Sequence, residues 1–428
     1  MIPPPGLNCQ SLTLNFAVEP TAARRLRGLS LLRGMTEGRA QTRPAASGGG
    51  FRSHRLLRPD PATRVELLLA LEAATPGAAA SDLTGRLRLT LLEGSSEAFV
   101  ALVLRLHAVA FLRLEASCED PTPIDHGEAT EAALAQVLRA RLADLLRLLG
   151  VAAASGDVEA VHQTRVSLRR LRAALGLFKP ILPPSFSAHF NAEARWLGSV
   201  LAPVRDWDVY LSESLAPFAA RLADDPGLSA LQRLAAEARD RAAADMAEAL
   251  RSPRCLAFQV ALDLSIQRRV WRDQAVTEAA ARLFAPIGDV APSLLDRLWR
   301  GVRRDGKRLS CGDAEASHDL RKKIKKLRYS LEFTYDLFSR RELKDYLSDL
   351  TQMQQRLGAA NDAAVARALT AQLLSDRPSP ALIRIEGFMA GWRARQSGEA
   401  PPDAAEAWRR LKATPKVWRE RSRRKITD

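Results

Sequence analysis

The sequence contains few cysteines and no long apolar runs. Its four cysteines lie far apart and form no CxxC pair, so we expect neither a disulfide framework nor a zinc cluster. It lacks any stretch of about 18 uncharged apolar residues, which argues against a membrane-spanning helix. The first ten residues contain no basic segment followed by an apolar run, so no signal peptide is expected. These absences predict a soluble, cytoplasmic protein.

Acidic and aromatic residues are also scarce. There are 49 Asp and Glu against 64 Lys and Arg, which gives a formal net charge of +15. Residues 1–120 contain 14 basic and 11 acidic side chains, which leaves 50 and 38 for the rest of the chain. This surplus predicts an anionic partner, bound mainly by residues after 120. Aromatic residues make up only 6%. That disfavours single-stranded nucleic acid, whose binding proteins stack bases on aromatic side chains.

Residues 1–119 have the mixed pattern of a small α+β domain. Leu12–Val18 alternates apolar and polar residues like a half-buried strand. Further strands are predicted at 65–71, 85–92 and 109–116, and helices at 21–32 and 96–106. Residues 43–63 contain a run of three glycines and several prolines, so a flexible loop is expected there.

From residue 127 onwards the sequence predicts long amphipathic helices rich in Ala, Leu and Arg. This part contains one pattern twice, because residues 157–175 match residues 313–331 at an offset of 156. The same offset relates Arg205 and Asp206 to Asn361 and Asp362, and Arg141 to Arg297. A constant offset indicates two copies of one structural unit. We therefore predict two similar, pseudo-symmetric helical bundles, at about 130–285 and 286–428, that turn equivalent faces to a shared groove.

The repeated helix carries an apolar stripe beside a basic stripe in each copy. Asp157 and Asp313 are its predicted N-caps. The apolar stripes are Leu168, Leu171 and Leu175, and Ile324, Leu327 and Leu331. The basic stripes are His162, Arg165, Arg169, Arg170 and Arg172 in the first copy, and His318, Arg321, Lys325, Lys326 and Arg328 in the second. Like charges at this spacing destabilise a helix, whereas Arg forks and Lys point charges suit a chain of phosphates.

Each of these patterns also has a plainer interpretation. A basic stripe can be a solvated helix face, and the two histidines can pack or cap. Recurrence of the stripe in register favours binding. Asp206 and Asp362 are candidate metal-binding or acid/base carboxylates, but pairing with nearby arginines is the favoured interpretation. No metal site is expected, because Arg and Lys flank both histidines and would repel a cation.

The pattern His-x-x-Arg-x-x-x-Arg/Lys-Arg/Lys-Leu-Arg, each time followed by Leu-Gly/Ala-x-x-Arg/Asn-Asp, resembles the CHAD family, the conserved histidine α-helical domain. The resemblance covers about 127–428, including Trp408 and the ending Pro415, Trp418 and Arg419. It implies two four-helix bundles facing a basic cavity that binds inorganic polyphosphate through the two basic stripes. We expect Lys322 to join that site, with Arg141, Arg205, Asp206, Arg297 and Asp362 in supporting positions.

Parts of residues 1–119 resemble a degenerate, partial CYTH domain, a triphosphate-tunnel β-barrel with metal-dependent triphosphatase activity. Where that family carries Glu-x-Glu-x-Lys, this chain has Ser11, Thr13 and Asn15. Arg86 and Arg88 stand on a strand that normally bears carboxylates. The region is also too short for a full eight-stranded tunnel. Without the carboxylates a divalent ion has no ligands, so we expect no catalytic residues, no metal and no cofactor.

Three functions stay open at this point. The favoured one is a non-enzymatic module that binds inorganic polyphosphate and targets the protein to polyphosphate granules. Nucleic-acid binding, driven by the same charge, is the second. The third is a metal-dependent triphosphatase or polyphosphatase, for which Asp206 and Asp362 are the only candidate carboxylates.

Overall fold

The computed structural model describes residues 11–45, 50–73, 83–116, 122–219, 221–222, 224–309, 314–357, 359–397 and 404–419. They form an antiparallel sheet followed by helices, which confirms the predicted fold class. The chain divides into two compact units. The sheet unit comprises Met1–Pro121, Leu138–Ser155 and Ala247–Gln274, and the helical unit comprises Thr122–Val137, Gly156–Met246 and Ala275–Asp428. The domain boundary between 119 and 127 stays a prediction.

The sheet unit contains six strands in the order β2-β3-β4-β5-β1-β6, and each neighbouring pair is antiparallel. Its elements are β1 (Leu12–Val18), α1 (Pro20–Gly28), α2 (Ser30–Met35), β2 (Thr36–Pro44), β3 (Phe51–Asp60), β4 (Thr63–Ala73), β5 (Leu83–Glu93), α3 (Ser96–Ala110) and β6 (Arg113–Glu115). Leu14, Phe16, Leu67 and Leu89 are buried on one face of the sheet. Most of the alternating residues are polar or small, with Leu56 and Leu68 among the exceptions, which is the pattern expected for a sheet with one covered face.

Two local predictions in this unit are wrong. The loop expected at 43–63 is largely strand, since β3 spans Phe51–Asp60. There Phe51, Ser53, Arg55 and Leu57 are buried at alternate positions, and the glycines and prolines obscure that period. The strand expected at 109–116 shrinks to Arg113–Glu115, because α3 continues to Ala110.

From residue 130 the chain is helical. The helices are α4 (Thr130–Ser155), α5 (Val158–Phe178), α6 (Pro184–Val209), α7 (Ala216–Ala219), α8 (Pro226–Arg251), α9 (Pro253–Arg268), α10 (Glu278–Ala281), α11 (Ile287–Leu309), α12 (Ala314–Phe333), α13 (Arg340–Arg356), α14 (Ala359–Asp376), α15 (Pro380–Ser397) and α16 (Ala404–Ala413). A π-helical turn, Tyr210–Ser214, extends α6. No described helix combines the length and apolar character needed to cross a membrane.

The helix boundaries follow the sequence repeat. Both α12 and α13 begin 156 residues after α5 and α6, and α11 begins 157 residues after α4. One counterpart differs, because the continuous α6 corresponds to α13 and the start of α14. The two copies therefore share their order of helices but not every boundary.

The core of the helical unit is formed by both copies. The predicted apolar stripes on α5 and α12 are buried, with Leu171, Leu175, Ile324 and Leu327 fully enclosed. A second cluster joins Trp207 and Phe218 of the first copy to Leu373 and Ile385 of the second. The C-terminal ending is also buried, and Trp418 Nε1 donates to Asp296 Oδ1 at 2.7 Å. The repeats thus contribute to common cores.

Candidate functional site

Helix α5 is held at its start by a side-chain cap and along its length by its neighbours. Asp157 Oδ1 accepts a hydrogen bond from Ala160 N at 2.8 Å, so the predicted N-cap is confirmed. Its predicted counterpart, Asp313, lies outside the described residues. Because Leu168, Leu171 and Leu175 are buried, the basic residues of α5 lie on the neighbouring face.

His162, Arg165, Arg169 and Arg205 form the first-copy cluster, where α5 meets the end of α6. Arg165 Nη1 donates to Ala202 O at 2.9 Å and to Leu201 O at 3.3 Å. Asp206 Oδ1 lies 3.6 Å from the same nitrogen. Asp206 therefore pairs with an arginine, in keeping with its favoured interpretation. Burial lowers the pKa of Arg165, and Asp206 opposes that effect.

His162 is the titratable member of the first-copy cluster. Burial lowers the pKa of its imidazole, and the charges of Arg205, Arg169 and Arg165 lower it further, while Glu159 opposes them. Its ordinary value is 6.5, so the ring is mainly neutral at pH 7. An anion beside it would favour the imidazolium, which would then add charge to the site.

Glu332 joins the basic stripes of the two copies. Its Oε2 lies 3.1 Å from Arg170 Nη2 on α5, and its Oε1 lies 3.2 Å from Arg328 Nη1 on α12. Both guanidinium groups also lie over the ring of Tyr329, at 5.6 and 4.8 Å from the centroid. Arg170 and Arg328 are thus brought together but partly neutralised. Sequence reasoning missed Glu332, although its i,i+4 spacing from Arg328 was visible.

Arg172, Lys179, Arg297 and Lys326 form the inter-copy cluster. Lys326 extends over Gly176 of α5, where any Cβ would overlap Lys326 Nζ. Arg297 Nη2 donates to Gly176 O at 2.5 Å and to Leu177 O at 3.4 Å. The absence of a side chain at position 176 therefore lets the lysine approach α5 closely.

Lys326 is half-buried among charges of its own sign. Burial lowers the pKa of its ammonium group from 10.5 to about 8, and Arg297, Lys179 and Arg172 all lower it further. No acidic group contributes, and within the described part of the chain the ammonium makes no hydrogen bond or ion pair. A buried cation without a counter-charge is costly. The cluster therefore favours an anionic ligand.

Helix α11 continues the basic surface beyond Arg297. Arg300, Arg304 and Lys307 follow it at i+3, i+7 and i+10, all exposed, and Arg300 contributes to lowering the pKa of Arg297. At the corresponding positions the first copy has Asp144, Leu148 and Val151. Only Arg297 was singled out from the sequence. The same i, i+3, i+7 and i+10 spacing that identifies the basic stripes of α5 and α12 also identifies this stripe on α11.

The remaining site residues predicted in the second copy are exposed or half-buried wherever the structure describes their side chains. His318 and Lys322 are exposed, and Lys322 Nζ lies 3.5 Å from Asp319 Oδ1. Arg321 and Lys325 are half-buried on the same helix. The side chain of Asp362 lies outside the described residues. Arg141, the sequence counterpart of Arg297, belongs to the sheet unit and lies 3.4 Å from Asp144.

The carboxylates of the helical unit that sequence reasoning missed are held by cations. Asp208, 3% exposed, accepts from Arg239 Nε at 3.1 Å, and the same arginine donates to Gly156 O. Asp305, 1% exposed, lies 2.5 Å from Lys323 Nζ. Among the described residues no group of three or more His, Cys, Asp or Glu is arranged to hold a metal ion. These carboxylates connect helices.

In the sheet unit, polar contacts replace the carboxylates expected of a CYTH strand pair. Thr13 Oγ1 lies 3.3 Å from Thr90 Oγ1, and Arg88 Nε donates to Asn15 Oδ1 at 3.0 Å. The strand-rich region is consistent with a CYTH-like domain. Ser11 is exposed beside β1, so these positions supply hydroxyl, amide and guanidinium groups.

Replacing Lys326 by Met should stabilise the folded chain at pH 7 by about 1–3 kcal/mol, where the upper value is the full effect of the pKa shift and the lower value allows for solvent screening of a half-buried group. The ordinary pKa of lysine is 10.5, and that of Lys326 is about 8 when folded, so its charge opposes folding below pH 8. The gain should fade as the pH rises from 8 towards 10.5. Urea unfolding at pH 7 and at pH 10.5 measures this gain in stability. Lys322→Met, at an exposed position, should change little; a clear loss of stability in Lys326→Met at pH 7 would contradict the account.

The chain was compared with protein families, curated proteins and solved structures. The CHAD domain family matches residues 136–371. The crystal structure of the CHAD domain from the plant Ricinus communis is 28% identical, with a TM-score of 0.59, covering 71% of this chain and 98% of that one. PptA from Streptomyces chartreusis is 21% identical, with a TM-score of 0.50 and coverage of 66% and 99%, a likeness of fold alone. No curated protein matches the chain.

Proposed function

The chain belongs to the CHAD domain family, and from this premise we propose that it binds inorganic polyphosphate in a basic groove between its two helical repeats. The observation that carries the proposal is the close approach of half-buried Lys326 to Gly176 of α5, beside Arg172, Lys179 and Arg297 and with no described carboxylate paired to it. A bound polyanion would supply the missing counter-charge. Binding in the groove would attach the protein to polyphosphate granules.

Inorganic polyphosphate suits the chemistry of the inter-copy cluster. It presents about one negative charge per phosphate and has neither bases nor sugars. Arg172 and Arg297 can each grip phosphate oxygens with a guanidinium fork, while Lys326 and Lys179 act as point charges. Electrostatic binding of this kind releases counterions, so the affinity should fall steeply with salt.

The first-copy cluster would extend the same groove along α5. Arg165 is oriented by carbonyl groups and Asp206, so we assign it a positioning role. Arg169 lies beside it and remains available to phosphate, whereas Arg205 Nη2 lies 3.8 Å from Glu213 Oε1 and would exchange that partner for a phosphate. His162 would gain a proton as the anion binds, because the anion offsets the arginine charges that lower its pKa.

The surroundings of Tyr329 favour polyphosphate over single-stranded nucleic acid. Tyr329 is 3% exposed, and Arg170 and Arg328 already cover its ring. It therefore offers no platform for stacking a base. The carboxylates Asp206 and Glu332 are paired with arginines, which supports binding rather than catalysis as the role of this site.

Arg172→Ala combined with Lys326→Met should weaken the binding of long-chain polyphosphate at least tenfold, because each charge-assisted contact contributes about 1.5–3 kcal/mol. Calorimetry at two salt concentrations measures the affinity. The matched control is Arg341→Ala with Lys344→Met, which removes the same charges from exposed positions of α13. Equal affinity in the two variants would refute the site. Tighter binding of single-stranded DNA at the same ionic strength would refute the ligand.

Chain-length preference should depend on α11. From Arg297 to Lys307 the helix rises about 15 Å, so a long polyphosphate that fills the inter-copy cluster can continue along it. Arg300→Ala with Lys307→Ala should therefore weaken long-chain binding several-fold and leave tripolyphosphate affinity unchanged. Calorimetry with long-chain polyphosphate and with tripolyphosphate measures the two affinities. The control is the double variant Arg341→Ala with Lys344→Ala. An equal loss for both ligands would contradict the path along α11.

A further inference from the structure

The sheet face opposite the apolar core of the sheet unit forms an open groove of about 1390 Å³. Its walls come from all six strands and from residues 143–150 of α4. Every element of this groove belongs to the sheet unit. It is therefore separate in sequence and in residues from the clusters assigned to polyphosphate.

One line of residues runs across the whole sheet. Strand register places in it, in spatial order from β2 to β6, Arg43, Arg52, Ala70, Arg86, Ala17 and Arg113. We name the four arginines of this line the arginine row. All four are exposed. The two alanines between them leave open space, so a ligand lying across the strands can contact successive guanidinium groups.

The arginine row is only partly neutralised. Arg52 pairs with Glu72, whereas Arg43, Arg86 and Arg113 make no side-chain hydrogen bond or ion pair with any described residue. Like charges on one sheet face oppose one another. An anionic ligand would relieve that repulsion.

The groove does not match a uniformly charged ligand. Glu72, Glu115 and Asp144 line it together with the arginines, and so do the apolar Leu68 and Leu146. These carboxylates would repel a dense polyanion, whereas a peptide offers charged, polar and apolar groups at intervals. Two aromatic rings occur among the described residues that line the groove, and neither offers a free face for a nucleic-acid base, since Phe16 is fully buried on the other face and His54 pairs with Glu66.

The spacing of the arginines in the row indicates which backbone conformation of a bound peptide would match it. Adjacent strands lie about 4.8 Å apart, so Arg52, Arg86 and Arg113, each two strands from the next, are spaced by about 9.6 Å. A polyproline II helix has three residues per turn and rises about 3.1 Å per residue. Acidic residues at every third position therefore fall on one face at intervals of about 9.3 Å. A β-strand instead places same-face side chains about 6.7 Å apart.

We infer that the arginine row binds an acidic segment of a partner protein in the polyproline II conformation, with a carboxylate at every third residue. Carboxylates of the segment accept guanidinium forks from Arg86 and Arg113, a third displaces Glu72 from Arg52, and small residues between them lie over Ala70 and Ala17. The chain would then hold a protein on its sheet unit independently of any anion on its helical unit.

The test uses the full chain and a fluorescent peptide of four Glu-Pro-Ala repeats, followed by anisotropy. Binding should weaken with salt, and Arg86→Ala with Arg113→Ala should lower the affinity at least tenfold. The matched control, Arg24→Ala with Arg105→Ala, removes the same charge from exposed positions of α1 and α3 outside the groove. Polyphosphate affinity should be equal in both variants, which separates this site from the proposed function.

Three results would overturn the inference. The first is equal peptide affinity in the groove variant and its control. The second is equal affinity for a peptide of the same composition in scrambled order, which would refute the spacing. The third is a loss of one polyphosphate site per chain in the groove variant, which would make the face a polyphosphate surface. A charge swap provides a second measurement, since Arg86→Glu with Arg113→Glu should prefer a Lys-Pro-Ala peptide.

Discussion

The close approach of Lys326 to Gly176 is the constraint on which the candidate binding site depends most. A lysine from the second copy can extend over α5 only because position 176 has no side chain. Arg297 then donates to the carbonyl groups of Gly176 and Leu177. Two cations from the second copy are thus fixed against one turn of the first. Their mutual repulsion opposes folding, so this junction is stable only because the apolar stripes around it are fully buried.

The cationic side chains of the site fall into two kinds. Arg165, Arg170 and Arg328 are held by carbonyl or carboxylate oxygens, so they shape the surface and keep their orientation without ligand. Arg172 and Lys326 have only cations among the charged groups that perturb them. This second kind has most to gain from an anion. A rigid framework of paired arginines around a small unpaired cluster is preorganised for a phosphate chain, because little ordering remains to oppose binding.

Periodicity in the sequence predicts the architecture of the helical unit well. The offset of 156 places α5 and α12 at their observed starts, because the same residues must cap, pack and expose the same faces. It does not predict which cations contact the other copy. Lys325 and Lys326 are neighbours of the same type in the sequence, and only the structure shows that Lys326 lies against Gly176 of α5. The carboxylate of Glu332 was missed for a similar reason, as its second partner, Arg170, is 162 residues away. In the sheet, β3 was missed because Arg55 is buried at an apolar position, where its guanidinium donates to Arg27 O.

A titration of Lys326 is the sharpest test of anion binding at the inter-copy cluster. NMR of protein with labelled lysine side chains, assigned by comparison with Lys326→Met, would follow its titration with and without polyphosphate. We expect a midpoint of about 8 in the free protein, against the ordinary 10.5, and a rise when polyphosphate binds and supplies the counter-charge. An ordinary pKa in the free protein, or no change on binding, would contradict this expectation.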